Sequence, residues 1–470
     1  MFNTHEFLVL VISQTTQLFL IQSFFPVFGT YKHANIPLSN DFYKFENDFF
    51  SASDEWVAQD GSFHNDLWEM VNPFEQFGIF IGSVTFGFLT DKFGRRRLCI
   101  FGLIFAGLIL TIESINFNPF VDILFRFLIG ILVGGIVVSS WSMITELISN
   151  RTRLIARSFA TYANARVIFV LICCVTRNWR ISLHISAALA FFCVILHFFI
   201  PESPTWMQLN GNHDEAIEIC RSIREKSNGQ CNIVLPKDEC ESLTFNEIWN
   251  NARYRNLIYL FGFLWIATNF TAVFIDFSVV VIIPGNFLMS QVLLAVAPAT
   301  VKMIYGSLEL FGCLNIPRRT LHLSSLAVIS VAMLISASLI ITGLHEKTPF
   351  NIIYIVAFLI GTSMLEFVWD ACYLGVVEQV PTEIRGTITG VCSFVARLAG
   401  ICASYMIFVK NVWAPSPCII VFVISILHFL VAYKFLKDSS HVNLAEVGRD
   451  MRRLSTVNSI KIQDLSCFNE

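Results

Sequence analysis

Twelve long apolar runs, separated by short polar breaks, are the feature that most restricts how this chain can fold. A helix needs about 20 apolar residues to cross the hydrocarbon core of a bilayer. The chain has 470 residues, of which 55% are hydrophobic and only 14% charged, so lipid is the expected solvent for most of it. The runs therefore predict an all-α membrane protein with twelve transmembrane helices in two six-helix halves.

The apolar runs divide the chain into two halves. The first six predicted spans lie at 7–28, 73–90, 98–117, 119–147, 158–176 and 180–199. The second six lie at 257–280, 287–314, 321–343, 351–377, 387–409 and 416–436. We therefore expect an N-terminal half at 1–200, a polar central loop at 201–256 with an amphipathic stretch from Asp214 to Lys226, a C-terminal half at 257–437 and a polar tail at 438–470.

The distribution of Lys and Arg predicts the orientation, because basic loops stay on the cytoplasmic side of a membrane. Twenty-two of the thirty-two Lys and Arg fall in segments on the side of both termini, and Arg157 is counted among them. The loop 29–72 is acidic, with eight Asp and Glu against two Lys. We expect both termini and the central loop in the cytoplasm and the loop 29–72 outside.

Composition and motifs argue against an enzyme. The sequence has no Ser/His/Asp set, phosphate-binding loop or metal-spaced cluster of His and Cys, and its thirteen Cys are scattered. The net charge of −3 and the pI of about 6.4 give no basic excess that would favour nucleic acid. We expect no catalytic residue, no metal, no cofactor and no nucleic-acid partner.

The segment after span 2, Gly87 to Arg97, combines small, acidic and basic residues. Gly87 would let two helices approach closely, Asp91 can pair with an arginine, and Gly94 suits a tight turn. These residues, with Arg95 and Arg96, predict a latch at a cytoplasmic gate. A plain basic loop that satisfies the positive-inside rule is the alternative.

An internal repeat supports a gate in each half. Glu146 is followed seven residues later by Arg153, and the same spacing recurs 232 residues on as Glu378 and Arg385. Each pair closes the fourth span of its half, and duplicated halves are the usual build of secondary carriers. The second-half counterpart of the latch, Asn315 to Arg319, has no acid, so we expect an asymmetric gate.

Several motifs carry a resemblance to a known family. Gly87 to Arg97 resembles the signature loop of the major facilitator superfamily, and Pro201 to Trp206 and Glu378 to Arg385 resemble motifs shared by its sugar porters and organic cation/anion transporters. Arg126-Phe-Leu-Ile-Gly130, Met143-Ile-Thr-Glu146 and the long loop that ends in Asp54-Glu-Trp56 resemble the organic-ion branch more closely. The loop lacks the Cys and the glycosylation sequon typical of that branch.

The resemblance implies the major facilitator fold, alternating access between its two halves, and a plasma-membrane location. Its implied partners are a small organic ion as substrate, the lipid bilayer, and a coupling ion or an exchanged anion. A sugar-porter-like carrier and a membrane sensor or scaffold that does not transport are the two alternatives.

Four basic residues are predicted inside spans: Arg126, Arg166, Lys302 and Arg397. A charge at mid-bilayer costs about 2.5–3.5 kcal/mol on insertion scales, so each is expected to face a cavity or an acid. We expect the acids to be Asp276, Glu309, Glu366 and Asp370. Arg126 is expected to be structural rather than substrate-binding, because near the outer end of span 4 its side chain can extend to the membrane surface.

Arg397, Arg166 and Lys302 are the predicted substrate-binding cations, and Trp141, Trp265 and Tyr373 the predicted aromatic walls. Arg397 resembles the position at which anion and carnitine carriers have Arg and cation carriers have Asp, which favours an anion or zwitterion. The alternative is that Arg397 only pairs with Glu366 or Asp370 to support packing. Glu366 and Asp370 are interpreted as ion-coupling residues or counter-ions.

Overall fold

Every regular element in the described part of the chain is a helix. The computed structural model describes residues 4–24, 64–115, 119–148, 153–176, 179–226, 249–250, 252–278, 287–313, 316–347, 349–380, 382–405 and 413–437. Within these residues, eight helices are long and apolar enough to cross a membrane by length and composition alone. The fold is a twelve-helix bundle of two six-helix halves, as predicted.

The N-terminal half contains α1 (Thr4–Leu20), a 3-10 turn (Ile21–Phe24), α2 (His64–Phe93), α3 (Arg95–Glu113), α4 (Pro119–Leu147), α5 (Arg153–Phe159), α6 (Tyr162–Thr176) and α7 (Trp179–His197). Two short helices join the halves, α8 (Pro204–Leu209) and α9 (His213–Lys226). We call the end of the bundle next to α8 and α9 the linker end. The amphipathic stretch predicted at Asp214 to Lys226 is α9.

The C-terminal half contains α10 (Ala252–Ser278), α11 (Phe287–Leu310), α12 (Arg318–Ile341), a 3-10 turn (Leu344–Glu346), α13 (Phe350–Gln379), α14 (Thr382–Tyr405) and α15 (Ser416–Phe435). Its core is continuous and apolar, with Phe261, Met333 and Phe358 almost fully enclosed between helices. Apolar side chains such as Val331, Ile352 and Leu430 are exposed on the outside of the bundle, where lipid would surround them.

Two predicted spans differ most from the observed helices. The helix of the second span begins at His64 rather than at residue 73. Its first turns are helical but polar, so hydropathy does not mark them as part of a span. The predicted loop 29–72 therefore overlaps α2 from His64 onwards, and residues 25–63 lie outside the described part of the chain. A helix can extend beyond the apolar run that marks its membrane-crossing part.

The fifth span is broken into α5 and α6 at Ala160 and Thr161. The Thr161 hydroxyl accepts a hydrogen bond from the backbone N–H of Asn164 at 3.0 Å, and the Asn164 side chain donates to the Phe159 carbonyl at 2.7 Å. These two bonds satisfy backbone groups that a helix break leaves open. The span begins at Arg153, so Arg157 belongs to the bundle and its assignment to a cytoplasmic loop is wrong.

The α2 and α4 helices pack closely because glycines line their contact. A Cβ atom on Gly78 would lie 2.2 Å from the Phe127 carbonyl oxygen, and one on Gly134 would lie 2.4 Å from the Ile79 carbonyl oxygen. Both distances are far shorter than van der Waals contact. Small residues spaced four apart are a common means of bringing membrane helices together.

The two halves also contact each other directly. The rings of Phe80 on α2 and Phe394 on α14 stack with centroids 4.2 Å apart. Nearer the linker end, a Cβ atom on Gly306 of α11 would lie 2.6 Å from the Ser158 Cβ of α5. The pairs α2–α14 and α5/α6–α11 therefore form the seam between the halves and enclose the space where the predicted binding residues lie.

Candidate substrate cavity and gate

A central cavity of about 240 Å³ lies between the two halves. All five predicted substrate-binding residues line it: Trp141, Arg166, Lys302, Tyr373 and Arg397. Glu366, Asp276 and Arg157 line it as well. The five predicted residues come from five different helices, and the fold brings them to one space.

Asp370 connects three helices beside this cavity. Its Oδ2 lies 2.5 Å from Lys302 Nζ of α11, and its Oδ1 lies 2.6 Å from Arg157 Nε of α5. Asp370 and Lys302 are each only 1% exposed. One carboxylate on α13 therefore neutralises a cation of its own half and also forms an ion pair across the seam.

Arg157 is a cavity residue that the sequence analysis missed. Its guanidinium carbon lies 4.1 Å from the ring centroid of Trp141 and 4.8 Å from that of Tyr373. The signal that could have identified it is the apolar run Leu154 to Ala156, which shows that the span has already begun before Arg157. The nearby arginines obscured this signal because a basic cluster is typical of a cytoplasmic loop.

Arg166 forms a second link between the halves. Its Nη1 lies 2.9 Å from Asp276 Oδ1 on α10, and its Nη2 donates to the Gln291 side-chain oxygen on α11 at 3.2 Å. Asp276, one of the four acids expected to pair with the intramembrane cations, is thus the partner of Arg166. The guanidinium contributes to the cavity wall while two side chains of the opposite half hold it.

Arg397 differs from the other cavity cations. It is half-buried and faces the cavity, and no hydrogen bond or ion pair joins it to any residue that the structure describes. Its pairing with Glu366 or Asp370, the structural alternative, is not found. Glu366 is likewise without an ion pair in the described ranges, and it lies one helical turn from Asp370 on α13.

Aromatic rings form one wall of the cavity. The Trp141 and Tyr373 rings meet edge to face with centroids 5.5 Å apart, and Trp369 adds a third ring to the lining. Trp265 is not part of the lining. It is buried behind Tyr373, its ring centroid 4.4 Å away, and its indole N–H donates to the Cys372 carbonyl, so its expected role as a cavity wall is wrong.

The predicted N-terminal latch is a buried network at the linker end. Arg95 forms an ion pair with Glu146, which also accepts a hydrogen bond from the Ser203 hydroxyl. Glu202 accepts from the backbone N–H groups of Arg95 and Arg96 at 3.1 and 3.0 Å and thereby caps the start of α3. Asp91 lies at the edge of this network, 4.0 Å from Arg95 and 43% exposed.

Three further residues of the latch motif have distinct roles. Gly94 has φ of +96°, and a Cβ atom there would lie 2.7 Å from the Glu202 carboxylate, so only glycine fits. Arg96 donates to the His197 carbonyl at 2.8 Å and so holds the end of α7. Gly87 lies across the seam from Gly390, with 3.8 Å between its ideal Cβ position and the Gly390 Cα.

The C-terminal half repeats this arrangement with fewer contacts. Arg318 forms an ion pair with Glu378, in the way that Arg95 pairs with Glu146. Arg319 donates to the Tyr433 carbonyl at the end of α15, as Arg96 does at the end of α7. The counterpart of Asp91 is the contact that the second half lacks, because the Asn315 to Arg319 segment has no acid. The side chains of Arg153 and Arg385 lie outside the described part of the chain.

Known proteins are similar to this chain in sequence. The family model described as sugar (and other) transporter matches residues 27–451. An uncharacterized protein of Caenorhabditis elegans is 28% identical over 79% of this chain and 75% of its own length. Solute carrier family 22 member 6-B of Xenopus laevis is 25% identical over 82% and 70%, and the human member 16 is 24% identical over 84% and 69%.

Solved structures agree with the fold. A proton:xylose symporter of the major facilitator superfamily, bound to 6-bromo-6-deoxy-D-glucose, superimposes with a TM-score of 0.70. The two sequences are 17% identical, and the match covers 95% of this chain and 99% of the symporter. The inward-open xylose transporter of E. coli superimposes with a TM-score of 0.58 at 16% identity, over 94% and 99%.

Proposed function

Because the chain belongs to the sugar (and other) transporter family, we propose that its central cavity carries small organic anions, or zwitterions with an anionic group, by alternating access. The chain is a secondary transporter, and its sequence resemblance to the organic cation/anion transporters agrees with its solute carrier family 22 relatives. The substrate class is the new part of the proposal.

The observation that carries the proposal is the unpaired guanidinium of Arg397. Arg157 and Lys302 share Asp370, and Arg166 has Asp276, so three of the four cavity cations already have acidic partners. Arg397 alone of these four has none among the described side chains. A guanidinium stays ionised and can bind a carboxylate or sulfonate through two parallel hydrogen bonds.

The rest of the cavity supports an organic rather than an inorganic anion. The rings of Trp141, Trp369 and Tyr373 offer flat apolar surfaces on which an aromatic or aliphatic body would pack. In this proposal Arg166 and Lys302 line the cavity while remaining bound to their acids. Glu366 is the proposed contact for the cationic group of a zwitterion or for a coupling cation.

Gating in this proposal depends on ion pairs within each half and on an ion pair between the two halves. Arg95 with Glu146, and Arg318 with Glu378, keep the linker end of each half rigid. The Arg157–Asp370 pair crosses the seam, so it must break when the halves separate at that end. We include Arg153 and Arg385 among the proposed gating residues because each follows the gating glutamate of its half by seven residues.

The test is uptake into proteoliposomes of three labelled probes: benzenesulfonate, benzyltrimethylammonium as its cationic match, and D-xylose. We expect saturable uptake of benzenesulfonate, loss of at least about tenfold in Arg397→Asp, and partial retention in Arg397→Lys, because one charge-assisted hydrogen bond contributes about 1.5–3 kcal/mol. Preference for D-xylose would favour the sugar-porter alternative. Absence of saturable flux for all three would favour a sensor or scaffold.

We also propose that the protein lies in the plasma membrane with both termini and the linker end in the cytoplasm. A cysteine introduced at Ser62 should react with an impermeant reagent on intact cells. A cysteine at Glu225, on the exposed face of α9, should react only after permeabilisation. The reverse labelling pattern would overturn this orientation.

A further inference from the structure

A group of buried ionisable residues lies inside the N-terminal half, away from the cavity cations. Arg126 of α4 is only 1% exposed; its Nε lies 2.6 Å from Glu113 Oε1, and its Nη1 donates to the Gln22 side-chain oxygen at 3.0 Å. The expectation that Arg126 extends to the membrane surface is therefore wrong. Its side chain stays inside because Gln22, in the 3-10 turn after α1, and Glu113 of α3 supply polar partners there.

Glu75 of α2 completes this group, and the sequence analysis did not single it out. It is fully enclosed, at 0% exposure, and Arg126 Nη1 lies 3.7 Å from its Oε2. Neither of its carboxyl oxygens has a hydrogen-bond donor among the residues that the structure describes. Glu75 is thus a buried carboxyl group whose only described ion contact is a guanidinium already bound more closely by Glu113.

Close helix packing encloses Glu75. Gly130 of α4 lies against the backbone of α2, and a Cβ atom there would be 2.3 Å from the Glu75 carbonyl oxygen. The same glycine-lined contact continues through Gly78 and Gly134. An ionised carboxylate in such surroundings has a large desolvation cost unless it is paired and hydrogen-bonded, and the neutral acid avoids that cost.

We propose that Glu75 is a proton-binding site, separate from the substrate cavity, and that release and uptake of its proton are linked to the transport cycle. The proton-binding site is inferred from the two acids beside the single cation Arg126. Glu113 forms the close ion pair with Arg126, so Glu75 is the acid that carries a proton. The link to the transport cycle rests on the proposed transport function.

The groups facing Glu75 can be named for each packed helix. Gln22 comes from the 3-10 turn after α1, Glu113 from α3, and Arg126 and Asp122 from α4. On α7, Arg180 and His184 contact Ser114, next to Glu113. The charged side chain described on α14 is Arg397, which lines the cavity.

The position of α2 gives a physical route for the link to transport. Gln76 and Ile79, which follow Glu75 on α2, line the cavity, and Phe80 stacks on Phe394 of the opposite half. A change of position between α2 and α14 would alter the packing one helical turn from Glu75. The proton would then be exposed or enclosed as the halves move.

Infrared spectroscopy of the purified protein tests the proton directly. A protonated carboxyl group has a C=O stretching band that is distinct from carboxylate bands and shifts in D₂O. We expect Glu75→Gln to remove part of this band, whereas Glu215→Gln on the exposed face of α9 leaves it intact. Glutamine is neutral and of equal size, so the variant should fold. An unchanged band in Glu75→Gln would overturn the proton site.

The link to transport is tested in proteoliposomes with benzenesulfonate, whose charge does not change with pH, at clamped membrane potential. We expect an inward proton gradient to raise wild-type accumulation at least about twofold, and Glu75→Gln to lose this increase while exchange without a gradient continues. Equal wild-type accumulation with and without the gradient would overturn the link alone. Absence of any saturable flux would instead contradict the proposed function, and the infrared result would still decide the proton site.

Discussion

Arg166 and Arg397 occupy nearly equivalent depths in the two halves, yet their surroundings differ. Arg166 follows Arg153 by thirteen residues, and Arg397 follows Arg385 by twelve. Arg166 is held by Asp276 at 2.9 Å and by Gln291 at 3.2 Å. Arg397 has no such partner in the part of the chain that the structure describes.

The difference arises from the neighbouring helix. The α10 helix presents Asp276 to Arg166, but beside α14 it presents Asn269, which donates to the Ala396 carbonyl at 2.7 Å. An amide bound to the backbone cannot neutralise a guanidinium. Two intramembrane arginines at similar depth can therefore serve different purposes, one as a link between the halves and one as a site for an external anion.

The largest effect on stability is expected from Asp370→Ala, because it leaves Arg157 and Lys302 without their shared carboxylate. Removing one member of a buried ion pair costs about 3–5 kcal/mol. Thermal unfolding of the detergent-purified protein should show a lower midpoint for Asp370→Ala. Glu366→Ala, one turn away on α13 and without a described ion pair, is the matched control and should change the midpoint little. Equal losses in both variants would refute the role of Asp370.

A double-mutant cycle on Arg166 and Asp276 is expected to give an intermediate effect. Each of Arg166→Met and Asp276→Asn should lower the free energy of unfolding by about 1.5–3 kcal/mol, the range for hydrogen bonds to charged groups. The double variant should lose less than the sum of the two, since neither partner is left unpaired. Additive losses would show that the pair does not link the halves.

The fold was predictable because hydropathy reports lipid exposure directly. The apolar runs predict the twelve-helix architecture. The break between α5 and α6 is harder to predict, because Thr161 and Asn164, which stabilise it, lie within a continuous predicted span. Helix ends were predicted less well. The first turns of α2 are polar and the start of α5 is basic, so both look like loops when only hydropathy and charge are considered.

The lining of the cavity could be predicted, but the pairing of its charges could not. Charges inside spans are rare, so Arg166, Lys302, Glu366 and Arg397 stand out in the sequence. Which acid meets which base depends on helix rotation, and a change of one residue rotates a side chain by about 100°. Glu75 and Glu113 were missed as partners of Arg126 for this reason.

The smallest effect is expected at the edge of the N-terminal latch. Asp91 is exposed and only 4.0 Å from Arg95, whereas Glu146 is buried and binds both Arg95 and Ser203. Asp91→Ala should therefore reduce benzenesulfonate turnover by up to about fivefold, the range for an exposed ion pair, with little change in affinity. Glu146→Gln should reduce turnover more. A larger effect of Asp91→Ala at matched protein amounts would contradict this order.

Equilibrium binding of benzenesulfonate to purified protein tests the contrast between the two arginines most directly. Arg397→Met should weaken binding by at least about tenfold, the loss of one charge-assisted hydrogen bond, with the unfolding midpoint unchanged. The double variant Arg166→Met/Asp276→Asn should bind within about threefold of wild type, since it removes a pair that has no net charge. Wild-type affinity in Arg397→Met, or loss of binding in the double variant instead, would contradict the assignment of Arg397 as the anion site.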